Sequence, residues 1–292
     1  MAIKINASRD LRAVTFSADG EHLLSGGLSQ NVQVWRVQDG QRVATIEAKD
    51  VLCLAVSKNG KWIAGGTLWG EVFVWADETY KTVWKHWEGF DISVIDFSLE
   101  RDSTSLVSGS WNGTATVWDV ASGEKVRTLQ HKRGLIAAKF SSDSARIATA
   151  TSEGSVRVWD SSNGQLLIDI PVTVTSWYNN GLLWFNNHIF VVSGSTIEQV
   201  DASTGSTVSE WQAPNSDFNS SIAILRHGKF IACWTSRSVT FRDTSTHLQI
   251  GLVEHNEDMC SIALSPDNRS LAIGGCHEIV ITEGLSHIIV ST

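Results

Sequence analysis

Short apolar runs separated by small polar turn residues follow one another along the whole chain. Near the N-terminus these runs cover residues 11–17, 22–27, 32–37 and 42–48, and they are rich in Val, Leu and Ile. Runs of this length that are bounded by Gly, Asn, Asp and Ser are typical of β-strands joined by hairpins. No segment of helical length shows an apolar period of 3.6 residues, so the pattern predicts an all-β chain.

The group of four runs repeats at intervals of 40 to 43 residues. The same position of the third run holds an apolar residue in each unit: Trp35, Trp75, Trp118, Trp159, Val200, Phe241 and Ile281. A fixed period of this length indicates a repeat architecture, here of seven units with four strands each. A residue that recurs at a fixed offset is therefore assigned a structural role in the repeat rather than a role in an activity.

The tryptophan positions carry a recognisable motif. Trp118-Asp119 and Trp159-Asp160 are Trp-Asp dipeptides, and Ser108-Gly109 and Asn112-Gly113 supply the small and turn residues ahead of the first of them. Over essentially its full length the chain resembles the WD-repeat family, although the motif is degraded in units five to seven. The resemblance implies a seven-bladed β-propeller of four-stranded antiparallel blades, with residues 1–292 as one domain.

A propeller of this kind must be closed by pairing the chain termini, and two segments compete for the outermost strand of the last blade. The N-terminal residues 3–6 align with residues 44–47 of the first unit. The C-terminal residues 287–291 stand at the spacing of an outer strand in their own repeat. We favour the N-terminal segment, because closure by the N-terminus is usual in the family that the chain resembles.

Composition narrows the possible functions. The chain is 42% apolar and 18% charged, which allows a large core, and its net charge of −8 leaves no basic stripe for nucleic acid. No apolar run is long enough for a membrane span, and the first residues show no signal-peptide pattern, so we expect a cytoplasmic protein. The four cysteines are expected to be small buried hydrophobes, and no metal-binding spacing or cofactor motif is present.

WD repeats often contain a buried network of a histidine, a hydroxyl residue and the tryptophan indole. By offset, the fourth unit supplies His131, Thr149 and Trp159 for this structural network. The third unit supplies Ser108, Asn112 and Trp118, with Phe90 in the place of the histidine. We assign these residues to the scaffold and no residue to catalysis, because no third group completes a nucleophilic constellation.

Tryptophan is abundant beyond the repeat positions. Of the thirteen tryptophans, four occupy the repeat position, and several others fall in or beside loops that emerge on one face of a propeller. Together with nearby aromatic residues they form the predicted partner-binding set: Trp69, Trp87, Phe90, Trp111, Trp177 and Tyr178. Exposed aromatic patches mark interaction sites, although these rings could instead fold inward and pack locally.

The sequence therefore predicts a non-catalytic scaffold that binds protein or peptide partners on this face and has no cofactor. It is expected to be a monomer or a domain of a larger chain. The alternative is a carbohydrate-binding propeller, since aromatic rings beside Asn, Asp and Glu can stack on sugars. Lectin propellers usually repeat their site in every blade, however, and the additional aromatic residues of this chain do not recur at one offset.

Overall fold

The computed structural model describes residues 2–7, 10–98, 102–152, 154–172, 181–193, 196–212, 221–225, 228–234 and 237–285. These residues form seven separate four-stranded sheets, in each of which neighbouring strands are antiparallel. The innermost strands of successive sheets contact one another in a closed cycle, so the sheets are the blades of a β-propeller. The predicted fold class is confirmed.

Each blade is numbered by its place along the chain, and its strands run from the innermost to the outermost. The first three blades are β2 (Leu11–Phe16), β3 (His22–Gly27), β4 (Asn31–Arg36) and β5 (Arg42–Lys49); β6 (Val51–Val56), β7 (Trp62–Thr67), β8 (Glu71–Ala76) and β9 (Thr82–Trp87); and β10 (Ile92–Phe97), β11 (Ser105–Ser110), β12 (Thr114–Asp119) and β13 (Lys125–Gln130).

The next three blades are β14 (Leu135–Phe140), β15 (Arg146–Thr151), β16 (Ser155–Asp160) and β17 (Leu166–Pro171); β18 (Leu182–Phe185), β19 (His188–Ser193), β20 (Thr196–Asp201) and β21 (Thr207–Gln212); and β22 (Ser221–Leu225), β23 (Phe230–Trp234), β24 (Ser238–Asp243) and β25 (Gln249–Glu254). The seventh blade contains β26 (Met259–Leu264), β27 (Ser270–Gly275), β28 (Glu278–Glu283) and, as its outermost strand, β1 (Ala2–Asn6).

The N-terminal strand β1 closes the ring. It pairs with β28 in antiparallel register from Ala2 opposite Thr282 to Asn6 opposite Glu278. Ile5 is buried in the core that joins the seventh and first blades, and Lys4 lies 3.4 Å from the Glu278 carboxylate. The predicted closure by residues 3–6 is therefore confirmed, and the competing segment 287–291 lies outside the described residues.

The core lies between neighbouring blades. Val34 and Ile46 of the first blade, for example, pack against Ile63 and Trp75 of the second. This packing explains the recurring apolar residue of the third strand, because each blade buries it against its neighbour. Among the described residues, no helix has the length and apolar character that a bilayer crossing requires.

The two ends of the ring differ in the loops that they carry. The turns between second and third strands and the connections between successive blades emerge at one end, which we call the top face. A central cavity of about 760 Å³ is lined partly by innermost strands, including Arg12, Cys53, Asp96 and Lys139. Lys139 and Asp96 form an ion pair within it, with 3.2 Å between Nζ and Oδ1.

Candidate functional site

The tryptophan network of the scaffold forms in three blades. The indole N–H of Trp118 donates to the Ser108 hydroxyl at 2.8 Å, and that of Trp159 donates to Thr149 at the same distance. Trp35 makes an equivalent bond to Ser25, also at 2.8 Å. Sequence analysis missed this last pair, although the same offset of ten residues before the tryptophan would have found it.

His131 extends the network of the fourth blade. Its Nε2 atom lies 3.1 Å from the Thr149 hydroxyl, and its ring meets the Trp159 indole edge to face at 5.2 Å between centroids. Burial, with a smaller contribution from the Arg157 charge, lowers the pKa of His131 to about 4. The ring is therefore neutral at pH 7, and its nitrogen can accept a bond from Thr149 while Thr149 accepts one from Trp159.

The second blade lacks this hydrogen bond. Gly65 occupies the position ten residues before Trp75. The three other blades that have tryptophan at the repeat position have Ser25, Ser108 or Thr149 there. A Cβ atom at Gly65 would lie 2.7 Å from the Trp75 ring, so the indole fills the space that a hydroxyl side chain would need. The buried indole nitrogen of Trp75 has no hydrogen-bond partner among the residues that the structure describes.

In the third blade the residue at the histidine position is Glu88, whereas the sequence prediction placed Phe90 there. The backbone N–H of Glu88 donates to Gly70 as that of His131 donates to Gly113. Seven residues separate β10 from β11, whereas five separate β14 from β15, so counting back from Trp118 is wrong by two residues. The two additional loop residues lengthen the chain between the histidine position and Trp118 but leave the strands on either side in place. The offset that holds in the fourth blade therefore points to the wrong residue in the third.

The Glu88 side chain is buried and paired. Its Oε2 atom accepts a bond of 2.9 Å from the Thr116 hydroxyl, and its Oε1 atom lies 2.6 Å from Lys125 Nζ. Asn112, which we had assigned to the network, is exposed in the β11–β12 turn, where its side chain accepts a bond from the Thr114 backbone. It therefore caps this turn, whereas the Ser108 hydroxyl is the group that binds the Trp118 indole.

Three of the predicted partner-binding residues lie together on the top face. The exposed fractions of Trp69, Trp87 and Phe90 are 64%, 71% and 60%, and we call these three residues the aromatic cluster. Trp69 is in the β7–β8 turn, whereas Trp87 ends β9 and Phe90 lies in the connection to β10. The β7–β8 turn and the β9–β10 connection meet because both lie on the top face, at the ends of the neighbouring strands β8 and β9.

Hydrogen bonds hold the two indoles of the cluster in place. The Trp87 indole N–H donates to the Trp69 carbonyl at 2.9 Å, and the Trp69 indole N–H donates to Asp50 Oδ2 at 2.8 Å. The backbone N–H of Ser29, followed by the Trp69 indole, lowers the pKa of Asp50, which is therefore an anion at neutral pH. Each ring has its polar edge occupied and its apolar surface exposed.

Gly70 allows the close approach of the two loops. Its φ of 82° lies in the left-handed region, and a Cβ atom there would lie 2.6 Å from the Phe90 backbone nitrogen. A larger residue would push the β7–β8 turn away from the connection to β10. This single glycine therefore keeps Trp69 beside Phe90.

Trp111 occupies a different environment from the aromatic cluster. Its backbone N–H donates to Asp91, as Leu28 does to Asp10 and Leu68 does to Asp50, so it corresponds to those two leucines of the first and second blades. The ring is half-buried, lines the central cavity and packs closely over Gly134. Trp111 therefore faces the mouth of the channel. Trp177 and Tyr178 lie outside the described residues.

The described residues contain few candidates for a metal site or for a reactive thiol. Within the ranges given above, no three His, Cys, Asp or Glu side chains are arranged to hold a metal ion. Burial raises the pKa of the Cys53 and Cys233 thiols to about 12, as expected for small buried hydrophobes. Cys260 and Cys276 differ from this expectation, because both are only half-buried.

Comparison with known proteins supports the architecture. The family model "WD domain, G-beta repeat" matches residues 4–36, 40–76, 81–119 and 123–160, which together make up half of the chain. These segments correspond to the four units in which the tryptophan is retained.

Curated relatives show the same relationship. Periodic tryptophan protein 2 of Arabidopsis thaliana is 29% identical over 54% of this chain and 18% of its own length. The serine-threonine kinase receptor-associated protein of Gallus gallus is 26% identical over 61% of this chain and 51% of its own. The target of rapamycin complex subunit LST8 of Bos taurus is 20% identical over 56% of this chain and 54% of its own.

The chain therefore spans about half or less of the length of the curated relatives that it matches. The repeat period, the seven blades and the four matched repeats agree with one another. The chain belongs to the WD-domain, G-beta-repeat family.

Proposed function

We propose that this protein is a non-catalytic interaction platform that binds a protein or peptide partner through the aromatic cluster on its top face. The observation that carries this proposal is the exposure of Trp69, Trp87 and Phe90, each of which leaves 60% or more of its surface in water. Trp111 lies at the adjoining channel mouth and extends the same surface inward. The fold itself supports many functions, so the proposal rests on this surface.

The energetics favour contact with a partner. An aromatic side chain buries about 150–250 Å² when it is covered, and such residues dominate the binding energy of protein interfaces. The hydrogen bonds of the two indoles to Trp69 O and Asp50 fix the rings before binding. Less conformational entropy is then lost when a partner binds, which makes the surface preorganised.

The relatives support the same class of function. One is named as a subunit of the target of rapamycin complex, and another as associated with serine-threonine kinase receptors. Both names describe assembly with other proteins. A cytoplasmic setting stays a prediction from the sequence.

The test is an affinity pull-down with the full chain as bait, followed by measurement of the affinity of the recovered partner. Replacing Trp69, Trp87 or Phe90 by Ala should weaken binding by about 2 kcal/mol or more for a residue at the centre of the interface. The matched control is Leu248→Ala, because Leu248 is as exposed as the cluster but lies in the β24–β25 turn at the opposite end of the ring. Thermal unfolding of each variant checks that the fold is retained.

Equal binding by all three variants and the wild type would overturn the proposal. A glycan array run with the same proteins separates the carbohydrate-binding alternative. Binding of a sugar that depends on Trp69 or Trp87, with no protein partner recovered, would support that alternative instead.

A further inference from the structure

Two of the four cysteines meet at the top of the seventh blade. The Sγ atoms of Cys260 in β26 and Cys276 just after β27 are 4.0 Å apart. Both side chains are half-buried, whereas Cys53 and Cys233 are buried. The pairing register shifts between Met259 and Ser261, so Cys260 is the extra residue of a β-bulge.

The other blades show that the fold does not require cysteine at these positions. Cys260 follows Met259 and Cys276 follows Gly275, and Met259 pairs with Gly275. The equivalent pairs are Leu11 with Gly27, Val51 with Thr67, and Leu135 with Thr151. The residues that follow them, in the same order, are Arg12 and Leu28, Leu52 and Leu68, and Ile136 and Ser152.

We propose that Cys260 and Cys276 form a reversible disulfide, and that this pair is a redox modification site which reacts with small-molecule disulfides of the glutathione type. The proposal is independent of the partner-binding function. It depends on the contact between the two sulfur atoms and on their partial exposure, which the two buried cysteines lack.

The reaction proceeds by two exchanges. The thiolate of Cys276 attacks one sulfur of glutathione disulfide, which forms a mixed disulfide and releases one glutathione thiolate. Cys260 then loses its proton and attacks the Cys276 sulfur, which closes the protein disulfide and releases the second glutathione. The two protein thiols are oxidised by two electrons, the glutathione disulfide is reduced by two, and the two protons pass to the released thiolates.

The order of attack follows from the environment. Burial, together with the neighbouring Cys276, raises the pKa of Cys260 to about 12. This thiol is therefore protonated at neutral pH and is a poor first nucleophile. Once Cys276 carries glutathione, the second step is intramolecular and needs the sulfur atoms to approach from 4.0 Å to bonding distance.

The surroundings of the pair give the oxidation a structural consequence. The His277 carbonyl, one residue after Cys276, accepts a bond of 2.9 Å from Ala7, which directly follows the closing strand β1. Cys260 also lines the central cavity. The disulfide would therefore tie β26 to the β27–β28 turn beside the contact that closes the ring.

The test uses the reduced full chain and a series of glutathione ratios. After equilibration the protein is acid-quenched, denatured, alkylated with N-ethylmaleimide and analysed by peptide mass spectrometry. The expected product has Cys260 and Cys276 joined, while Cys53 and Cys233 carry the alkylating group. In Cys260→Ser the second step is blocked, so glutathione should remain on Cys276.

The wild-type measurement alone can overturn the proposal, whatever the stability of the variant. One contrary result is glutathione that remains on Cys276 of the wild type without closure of the bridge. The other is alkylation of all four cysteines at ratios that oxidise a control peptide containing two nearby thiols.

Discussion

Trp75 and Trp118 occupy the same position of neighbouring blades and differ in the hydrogen bonding of the indole nitrogen. Both side chains are fully buried, but the Trp118 indole is bonded to Ser108, whereas the Trp75 indole nitrogen has no partner within the described part of the chain. The pair is therefore a natural comparison between a satisfied and an unsatisfied buried donor. A buried donor without a partner costs about 1–3 kcal/mol.

We expect Trp118→Phe to destabilise the protein more than Trp75→Phe does. The first change breaks a bond and leaves the Ser108 hydroxyl without its donor, whereas the second removes an unpaired donor. The difference in the free energy of unfolding should be about 1–3 kcal/mol, measured by urea denaturation at pH 7. The two changes remove the same number of atoms, so each variant controls for lost volume in the other. Equal destabilisation would contradict the assigned hydrogen bonding.

His131 should make stability depend on pH. Burial lowers its pKa to about 4, whereas an unfolded histidine titrates near its ordinary value of 6.5. Between these two values the unfolded chain binds a proton that the folded chain does not bind. Stability is therefore unaffected by this group above pH 6.5 and falls as the pH decreases from 6.5 towards 4.

The matched variant is His131→Asn, which cannot titrate. From pH 7 to pH 5 the wild type should lose about 2 kcal/mol more of its free energy of unfolding than the variant loses. Urea denaturation at both pH values measures this difference. Parallel losses in the two proteins would show that His131 is protonated in the folded state at pH 5.

At the scale of the element, β1 carries the closure of the ring. It supplies the outermost strand of the seventh blade, and Ile5 contributes to the core between the seventh and first blades. Without it, β28 would become an exposed strand edge and two blades would lose part of their shared core. An uncovered edge favours association with other chains.

Deletion of residues 1–7 should therefore lower the melting temperature markedly or cause aggregation during expression. The matched control is deletion of residues 286–292, which contain the competing segment 287–291 and follow the buried Leu285. This second deletion should leave the melting temperature nearly unchanged, since β1 already occupies the outer position. Thermal unfolding followed by circular dichroism measures both. The reverse order of stability would show that the C-terminal segment closes the ring.

At the scale of the whole molecule, the ring is built unequally. Blades three and four have both a buried tryptophan and its hydroxyl partner, whereas the third strands of blades five and six have Val200 and Phe241. Val200 and Phe241 have no side-chain donor, so they cannot make the indole-to-hydroxyl hydrogen bond that joins the second and third strands of blades three and four.

We expect the backbone amides of blades five and six to exchange hydrogen faster than those of blades three and four. Local opening needs less free energy where fewer buried contacts must be broken. Hydrogen–deuterium exchange with mass spectrometry measures this directly, and the third strands β12, β16, β20 and β24 are the matched segments. Uniform protection around the ring would contradict this expectation.

Site residues at a fixed distance from a strand could be predicted from the sequence, whereas those separated from it by a loop of variable length could not. Ser108, Thr149, His131 and Trp159 were found from offsets, because rigid strands keep those distances constant. The histidine position of the third blade was missed, since the insertion between β10 and β11 displaced the count to Phe90. Loop residues have no periodicity that would reveal such a shift.

The sequence also left open which of the loop aromatics are exposed and which pack inward. Trp69 and Trp111 stand at nearly the same distance before their repeat tryptophans, yet one is largely exposed and the other faces the channel. A shift of one residue in a turn changes the direction of the side chain. The backbone hydrogen bonds of Trp111 to Asp91 and of Leu68 to Asp50 show that Trp111 corresponds to Leu68 and not to Trp69.

The sequence by itself determined that there are seven blades, that each has four strands, and that the third strand has an apolar residue at a fixed position. The reason is that the pattern of apolar positions repeats once in every blade. It also indicated the segment that closes the ring. Tertiary structure decided which loop side chains meet, that Glu88 occupies a histidine position, and that Cys260 touches Cys276. These contacts join residues from different strands and turns, and their distances depend on loop geometry that leaves no repeating trace in the chain.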